Sequence, residues 1–427
     1  MGYVGLPTAV NFAEHGFRVI GVNRTPEKVN LINQGGCYLK DLNIDERVKG
    51  VVQLNKLTAT TDTTDATTKS DVIIVTVPTP ITADKKPDLS FVVAAGRRIS
   101  KGLDDGKLVV LESTVYPGVV EDVLKPILEE SGLTAGVDFG LAYCPERYNP
   151  GDPQHGIIDV IRIVAGITPE WTELTAQLYK NNARDVVSVK NIKTAEAAKV
   201  IENIQRDLNI ALMNELALIF ERMEIDIMDV IEAAATKWNF NVYYPGAGVG
   251  GHCLPVDPYY LVHKAEELGY HPRVMTAGRA INDSMPLHVL QLLVDALNEH
   301  ERAVKQSKIA VLGLSYKENV GDYRESPSAV LVEELSKRGA KVHLVDPYIE
   351  QGILREFATP EMSAYDALNG ADALVLMTAH SDFEGLDLSK IKKIMRTAII
   401  VDGRRVFDPE TAARLGFIYR GVGAANK

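Results

Sequence analysis

The stretch "SDVIIVTVPTP" is apolar from Val72 to Val77 except at Thr76, and Pro78 and Pro80 stop it. A strand with one wet face alternates apolar and polar side chains, whereas a strand covered on both faces does not. The run therefore asks for a buried strand in a parallel sheet flanked by helices. "FRVIGVN", "KLVVLES" and "FGLAYCPE" repeat the pattern within the first 190 residues, with helical patterns between them. One of these helices is "TPEKVNLIN", with Thr25 as N-cap and Pro26 at its first position. A doubly wound α/β domain is predicted over residues 1–190.

The period changes after that. Residues 194–223 read as one long helix, and further helices near 225–236 and 258–300 flank a Gly-rich loop, so residues 191–303 are predicted all-helical. From "SKIAVLGLSY" the strand–helix alternation returns through "AKVHLVDP", "DALVLM" and "TAIIVDG", predicting a second α/β domain over 304–427. "RVIGVNRTP" and "KVHLVDPYI" match in position and pattern, as in a weakly duplicated half. The fold class is thus two Rossmann-like doubly wound α/β domains joined by a long-helix middle domain, in keeping with 427 residues, too many for one ordinary core. A net charge of −11 argues against a general binder of nucleic acid or anionic membrane, while leaving room for a local basic pocket. No apolar run is long enough to span a bilayer, and the opening lacks a secretory leader pattern. Cys37, Cys144 and Cys253 are far apart and form no C-x-x-C pair, so neither a disulfide framework nor a metal site is expected. These features fit a reducing cytoplasm.

The chain opens "MGYVGLPTAVNFAEHG", where Gly2 and Gly5 have the spacing of the last two glycines of a G-x-G-x-x-G dinucleotide loop. The next strand ends at Asn23, where such folds place the residue that holds the adenosine ribose. The loop's first glycine and the strand before it do not precede Gly2. The expectation is an incomplete functional chain, with a missing apolar strand and glycine to be found before Met1.

Three further groups carry chemistry. In "PGAGVGGHCLPVDPYYL", Gly246, Gly248, Gly250 and Gly251 crowd Cys253, and Asp257 follows four residues later. Glycines let backbone approach a ligand, and a lone cysteine in such a loop is either a nucleophile or a buried structural thiol. On the long helix, Lys199, Asn203 and Arg206 share a stripe, with Ile201, Ile204 and Leu208 on the opposite, core-facing stripe. The alternative for the polar stripe is a solvated face. Thr114 in "ESTVYPG" and Glu146–Arg147 in "YCPERYNPGD" end strands, where open α/β sheets bind ligands. The alternative for Glu146–Arg147 is a local ion pair.

"GYVGLPTA", "VPTP", "ESTVYPG", "CPERYNPGD", "AEAAKVIEN…R…NIALMNE", "PGAGVGGHCLPVDPYYL", "NDSMP", "VLGLSYKENVGDYRESPS" and "DGRRVFD" occur in this order. Together they closely resemble the UDP-glucose/GDP-mannose dehydrogenase family, the nucleotide-sugar 6-dehydrogenases, over essentially the whole chain. The "PGAGVGGHC" form looks like the branch that acts on UDP-N-acetylhexosamines. The resemblance implies oxidation of a sugar's primary alcohol to a carboxylate with two NAD⁺, in an enzyme dimeric through its middle helices and making a uronic acid for surface polysaccharide or glycan. It implies Cys253 as nucleophile. Lys199 and Asn203 stabilise oxyanions, Asp257 holds Lys199 and a water, Thr114 positions water beside the cofactor, and Glu146 assists thioester hydrolysis. Arg147, Tyr148, Lys199, Asn203, Arg206, Gly250, Tyr316, Lys317 and Arg404 match substrate positions, and Gly2, Tyr3, Val4, Gly5, Asn23, Arg24, Thr79, Thr114 and Arg324 match cofactor positions.

Asn23 stands where the family mostly has Asp. It does not repel a 2′-phosphate, and Arg24 beside it can attract one, so NADP stays open next to NAD. A UDP-glucose 6-dehydrogenase and a non-catalytic sugar-nucleotide-binding paralogue are the rival readings. A two-electron hydroxyacid dehydrogenase has no use for the Cys253 loop.

Overall fold

The computed structural model describes residues 1–39, 44–148, 156–180 and 182–425. Residues 149–152 of the "CPERYNPGD" motif lie outside them. The chain divides into two compact units, one comprising Met1–Glu202 with Tyr259–His271, the other Asn203–Pro258 with Pro272–Lys427.

Among the described residues, the first unit holds two sheets. β1 (Val19–Val22) and β2 (Leu57–Thr60) form a parallel pair. The second sheet has the order β3 (Val72–Val75), β4 (Leu108–Leu111), β5 (Gly140–Tyr143), β6 (Ile161–Gly166), β7 (Asp185–Ser188). β3, β4 and β5 are parallel, but β6 runs antiparallel to β5. The apolar runs read from the sequence, β3, β4 and β5, are the parallel ones; β6, outside those runs, adds the antiparallel pairing. β4 and β5 are buried at every residue, as unalternated runs require. Burying Leu108–Leu111 contributes on the order of 6–12 kcal/mol before the entropy of ordering. The opening helix, Gly5–Glu14, packs closely on the end of β3, since a Cβ on Gly5 would lie 2.5 Å from Thr76 Oγ1.

The helix Ile192–Arg222 supplies residues to both units. Its buried line runs through Val200, Ile204, Asp207 and Ala211. Ile201 is 54% exposed, so the core stripe predicted through it is corrected: Ile201 is turned about 100° from Val200, off that line.

The second unit builds on this helix with Ile227–Ala235 and Arg273–Glu299. Its sheet is six-stranded and parallel throughout, in the order β10 (Thr359–Pro360), β9 (Lys341–Val345), β8 (Lys308–Leu312), β11 (Ala373–Leu376), β12 (Ile399–Asp402), β13 (Ile418–Gly421). β11 and β12 are buried at every residue. Helix Pro327–Lys337 is capped by Ser326, whose hydroxyl accepts from Ser328 N at 3.1 Å.

Candidate functional site

In the first unit the predicted residues collect at the carboxyl ends of parallel strands. Thr79, beyond β3, donates from Oγ1 to Thr114 O at 2.8 Å, and Ser113 Oγ donates to Val77 O at 2.6 Å, tying the ends of β3 and β4 together. Tyr148 donates its hydroxyl to Tyr3 O, and Tyr260 donates its own to Thr79 O. Gly2 has open space where a Cβ would be, while the opening helix starts with no side-chain cap and no acidic residue in its first turn. A helix start of that kind favours an anion.

Asn23 is engaged at both ends of its amide. Nδ2 donates to Met1 O at 2.8 Å and Tyr38 Oη at 3.1 Å, and Oδ1 accepts from Thr25 N at 3.0 Å. Arg24 lies over the ring of Phe91, 5.0 Å from its centroid.

Glu146 and Arg147 do not pair with each other's side chains. Glu146 Oε1 accepts from the amides of Arg147 and Tyr148, both at 2.6 Å, and Oε2 meets Arg162 Nη2 at 2.7 Å. Arg147 pairs with Glu202 at 2.8 Å and donates to Ile161 O at 2.7 Å. Lys199 is half-buried on the long helix, one turn before Asn203.

The second unit builds the cysteine loop. Gly246 N donates to Asn214 Oδ1 at 2.9 Å, Asn214 Nδ2 to Asn282 Oδ1 at 2.8 Å, and Asn282 Nδ2 to Asp207 Oδ1 at 2.8 Å. Arg279 reaches the same Asp207 oxygen at 2.6 Å. This buried chain fastens the start of the loop to two helices. Gly248 and Gly251 have φ of +124° and +90°, which L side chains rarely adopt. A Cβ on Gly250 would lie 2.7 Å from Tyr316 Cβ, so the loop lies flat on the segment that carries Tyr316.

Cys253 is half-buried, and its carbonyl accepts from Val256 N at 3.0 Å and Asp257 N at 2.8 Å. That turn starts the helix Asp257–Glu267. Asp257 is buried, and its Oδ2 accepts from Asn203 Nδ2 at 2.5 Å. The structure thus joins Asn203, Asp257 and the Cys253 turn. The Tyr316 phenol is pushed up to about 12, first by burial and then by the charges of Asp322 and Cys253, while Arg324 and Arg206 pull it down.

Arg324 is paired with Asp322 at 2.5 Å, and its Nη2 lies 3.0 Å from His252 Nδ1. Burial would raise the Asp322 carboxyl, but Arg324's hydrogen bonds outweigh it and hold it below the usual value. Lys317 is half-buried beside Tyr316 in the same segment. Arg404 packs against Gly246, its Nη1 2.6 Å from where a Cβ would be. Asp402, buried at the end of β12, holds Arg404 N at 3.0 Å and Phe407 N at 2.8 Å. Among the described residues no group of three or more His, Cys, Asp or Glu is placed to hold a metal ion. Nor is any described helix long and apolar enough to cross a membrane.

Sequence reasoning missed Arg162, Glu112, Asp346 and His380, all buried. A signal existed for Arg162, a charge inside the otherwise apolar run "IRIVAG". None existed for His380, which follows an ordinary strand end.

The NAD binding domain of the UDP-glucose/GDP-mannose dehydrogenase family matches residues 1–183, its central domain residues 193–284, and its UDP binding domain residues 310–409. A UDP-N-acetyl-D-glucosamine 6-dehydrogenase of Pseudomonas aeruginosa is 41% identical over 406 residues, 92% of this chain and 92% of that protein. The solved UDP-D-ManNAc dehydrogenase of Pyrococcus horikoshii is similar with TM-score 0.92 at 36% identity, over 100% of this chain and 98% of that one. A UDP-glucose dehydrogenase from Pyrobaculum islandicum follows with TM-score 0.88 at 28% identity, over 99% of this chain and 96% of that one.

Proposed function

The chain belongs to the UDP-glucose/GDP-mannose dehydrogenase family, and from that premise we propose that it oxidises the 6-hydroxyl of a UDP-N-acetylhexosamine to the carboxylate, with Cys253 carrying the sugar between two oxidations. It is an NAD-dependent oxidoreductase acting on a UDP-sugar. The observation that supports the cysteine step is the Asn203–Asp257 hydrogen bond, anchored by the turn in which Asp257 N donates to Cys253 O. A two-electron dehydrogenase needs no cysteine in the turn that leads into that carboxylate.

The uncapped start of the opening helix and the open space at Gly2 fit a dinucleotide pyrophosphate. Gly2, Tyr3, Val4 and Gly5 would hold it, with Asn23 at the strand end towards the adenosine ribose; Arg24, Thr79, Thr114 and Arg324 are the further candidate cofactor residues. When bound, NAD⁺ takes up the hydride released in each oxidation. Lys199 passes on the proton of the reacting hydroxyl. The thiolate of Cys253 then adds to the aldehyde carbon, forming a C–S bond and an alkoxide that Lys199 and Asn203 stabilise. Loss of the second hydride leaves a thioester on Sγ. Water, oriented by Glu146, Thr114 and Asp257, adds to its carbonyl, the C–S bond breaks, and the thiolate leaves. The sum turns one primary alcohol and one water into a carboxylate, two hydrides and three protons. Tyr316, Lys317 and Arg404 hold the nucleotide diphosphate, and Arg147, Tyr148, Arg206 and Gly250 the sugar. The enzyme works as a cytoplasmic homodimer, and its uronic acid enters surface polysaccharide or glycan.

The test is turnover of UDP-N-acetylglucosamine, UDP-N-acetylmannosamine and UDP-glucose, counting NADH per uronate. Two NADH per uronate are expected with an N-acetylated sugar, and Cys253→Ala loses uronate formation by on the order of 10⁴-fold. One NADH per sugar, with free aldehyde as product, removes the Cys253 role. A preference for UDP-glucose moves the substrate to the other branch.

A further inference from the structure

Beneath Glu146 lies a charged cluster that the reaction scheme does not use. Arg162 is the second residue of β6, with its side chain 0% exposed. Its Nη2 meets Glu146 Oε2 at 2.7 Å, and its Nη1 donates to Pro145 O at 3.2 Å, so one guanidinium grips both the carboxylate and the backbone just before it. A second carboxylate, Glu112 at the end of β4, has Oε1 3.8 Å from Arg162 Nη1. Tyr179 donates its hydroxyl to that same oxygen at 2.6 Å, and the Tyr179 ring lies 5.6 Å from the guanidinium.

A buried guanidinium facing two carboxylates must be shared or committed, because stripping water from an unbalanced charge is costly. The geometry commits it, with 2.7 Å to Glu146 against 3.8 Å to Glu112. Glu112 Oε1 already accepts from the Tyr179 hydroxyl, and burial pushes this carboxyl up to about 7 against the pull of Arg162. Glu112 therefore keeps a proton towards neutrality and leaves the Arg162 charge to Glu146. Glu146 is then held from two sides, Oε2 by Arg162 and Oε1 by the amides of Arg147 and Tyr148. Those two residues are also candidate sugar contacts.

We infer that Arg162 is the positioning residue for Glu146: it fixes the carboxylate, and with it the Arg147–Tyr148 turn, in the orientation needed to direct water onto the thioester. This rests on the role of Glu146 in thioester hydrolysis proposed above. Glu112 and Tyr179 keep the guanidinium in place from the far side.

Arg162→Met, Arg162→Lys and Glu146→Gln are to be compared with wild type, using NAD⁺ and the UDP-N-acetylhexosamine that the wild type turns over. The readouts are the pre-steady-state NADH burst, steady-state turnover, the sugar KM, and intact mass of the protein after quenching. Arg162→Met should lose roughly 100-fold in turnover while keeping a burst of two NADH per site and accumulating an adduct on Cys253. Arg162→Lys should recover part of the loss, and the Arg162→Met/Glu146→Gln double variant should be no slower than Glu146→Gln alone. A purely structural role would instead lower burst, turnover and melting temperature together. If Arg162→Met does not fold, Arg162→Lys and its double with Glu146→Gln decide by the same readouts. Turnover of the folded Arg162 variant within twofold of wild type, or a burst falling in parallel with turnover, overturns the proposal. A slowed Glu146→Gln beside a normal Arg162 variant sinks the proposal alone, whereas wild-type turnover in Glu146→Gln removes the reading of Glu146 and the proposal with it.

Discussion

Asn23 and Asp346 stand at the same place in the two α/β regions, one residue past the matching strands β1 and β9. Their surroundings differ. Asp346 is consumed by its own region: Oδ2 accepts from Leu314 N at 2.8 Å, Ser315 N at 2.7 Å, Ser315 Oγ at 2.8 Å and His380 Nε2 at 3.1 Å. Asn319 N donates to His380 Nδ1 at 2.9 Å, which leaves Nε2 to carry the ring hydrogen towards Asp346. The segment after β8, which carries Tyr316 and Lys317, is therefore pinned from below. Asn23 bonds Met1 O, Tyr38 Oη and Thr25 N and is not buried. The sheets differ likewise. β8 pairs with both β9 and β11, while β1 and β3 lie in separate sheets and are mostly half-exposed. One strand-end position thus has two structural uses. The buried acid Asp346 fixes the loop after β8 through its amides, hydroxyl and imidazole. The half-buried amide Asn23 ties the strand end to the Met1 carbonyl and Tyr38.

The comparison is most exposed at Asp346. Asp346→Ala strands the buried amides of Leu314 and Ser315, each costing about 1–3 kcal/mol. The expected result is a melting temperature lowered by several degrees and a KM for the UDP-sugar raised tenfold or more, with the NAD⁺ KM within twofold of wild type. Equal shifts in both KM values would show that the pinned loop is not specific to the sugar nucleotide.

The buried acids of the two regions also predict opposite pH behaviour. Burial would raise the Asp346 carboxyl, but the His380 hydrogen bond and the amides outweigh it, so its contribution to stability is present above the ordinary value of 3.8 and lost as pH falls through its lowered value. Glu112 is raised by burial from 4.5 to about 7, so it destabilises the fold increasingly as pH rises through that window. Glu112→Gln should therefore gain stability over wild type between pH 4.5 and 7, by on the order of 3 kcal/mol at the upper end. Thermal melts of both proteins at several pH values check this, and a difference that does not change with pH would contradict it.

Gly5→Ala places a Cβ 2.5 Å from Thr76 Oγ1 and should cost about 1–3 kcal/mol together with NAD⁺ affinity. Gly2→Ala meets nothing within 4 Å, so it should weaken NAD⁺ binding with the melting temperature unchanged. Calorimetric titration and melting of the two variants separate a backbone-facing cofactor loop from a merely tight one. The smallest effect concerns Arg24. Its contact with Phe91 is worth about 0.5–1 kcal/mol, so Phe91→Ala should raise kcat/KM with NADP⁺ two- to fivefold by freeing the guanidinium. No change would show that the ring does not restrain it.

Unalternated apolar runs such as Leu108–Leu111 and Ala373–Leu376 determine by themselves that strands here are buried and that helices cover them, because a wet face would demand polar alternation. The spacing of glycines around Cys253 marked the loop for the same kind of reason: φ of +90° at Gly251 and a Cβ-free approach of Gly250 to Tyr316 admit only glycine. What the sequence could not contain was partnership at a distance. Arg162 finds Glu112 and Glu146, which precede it by 50 and 16 positions, only because β6 turns antiparallel beside β5. His380 meets Asp346 across 34 positions because β11 and β9 both flank β8. Local periodicity records whether a side chain is buried. Strand order and direction decide which buried charges share one site, and these come from the packing of the whole sheet.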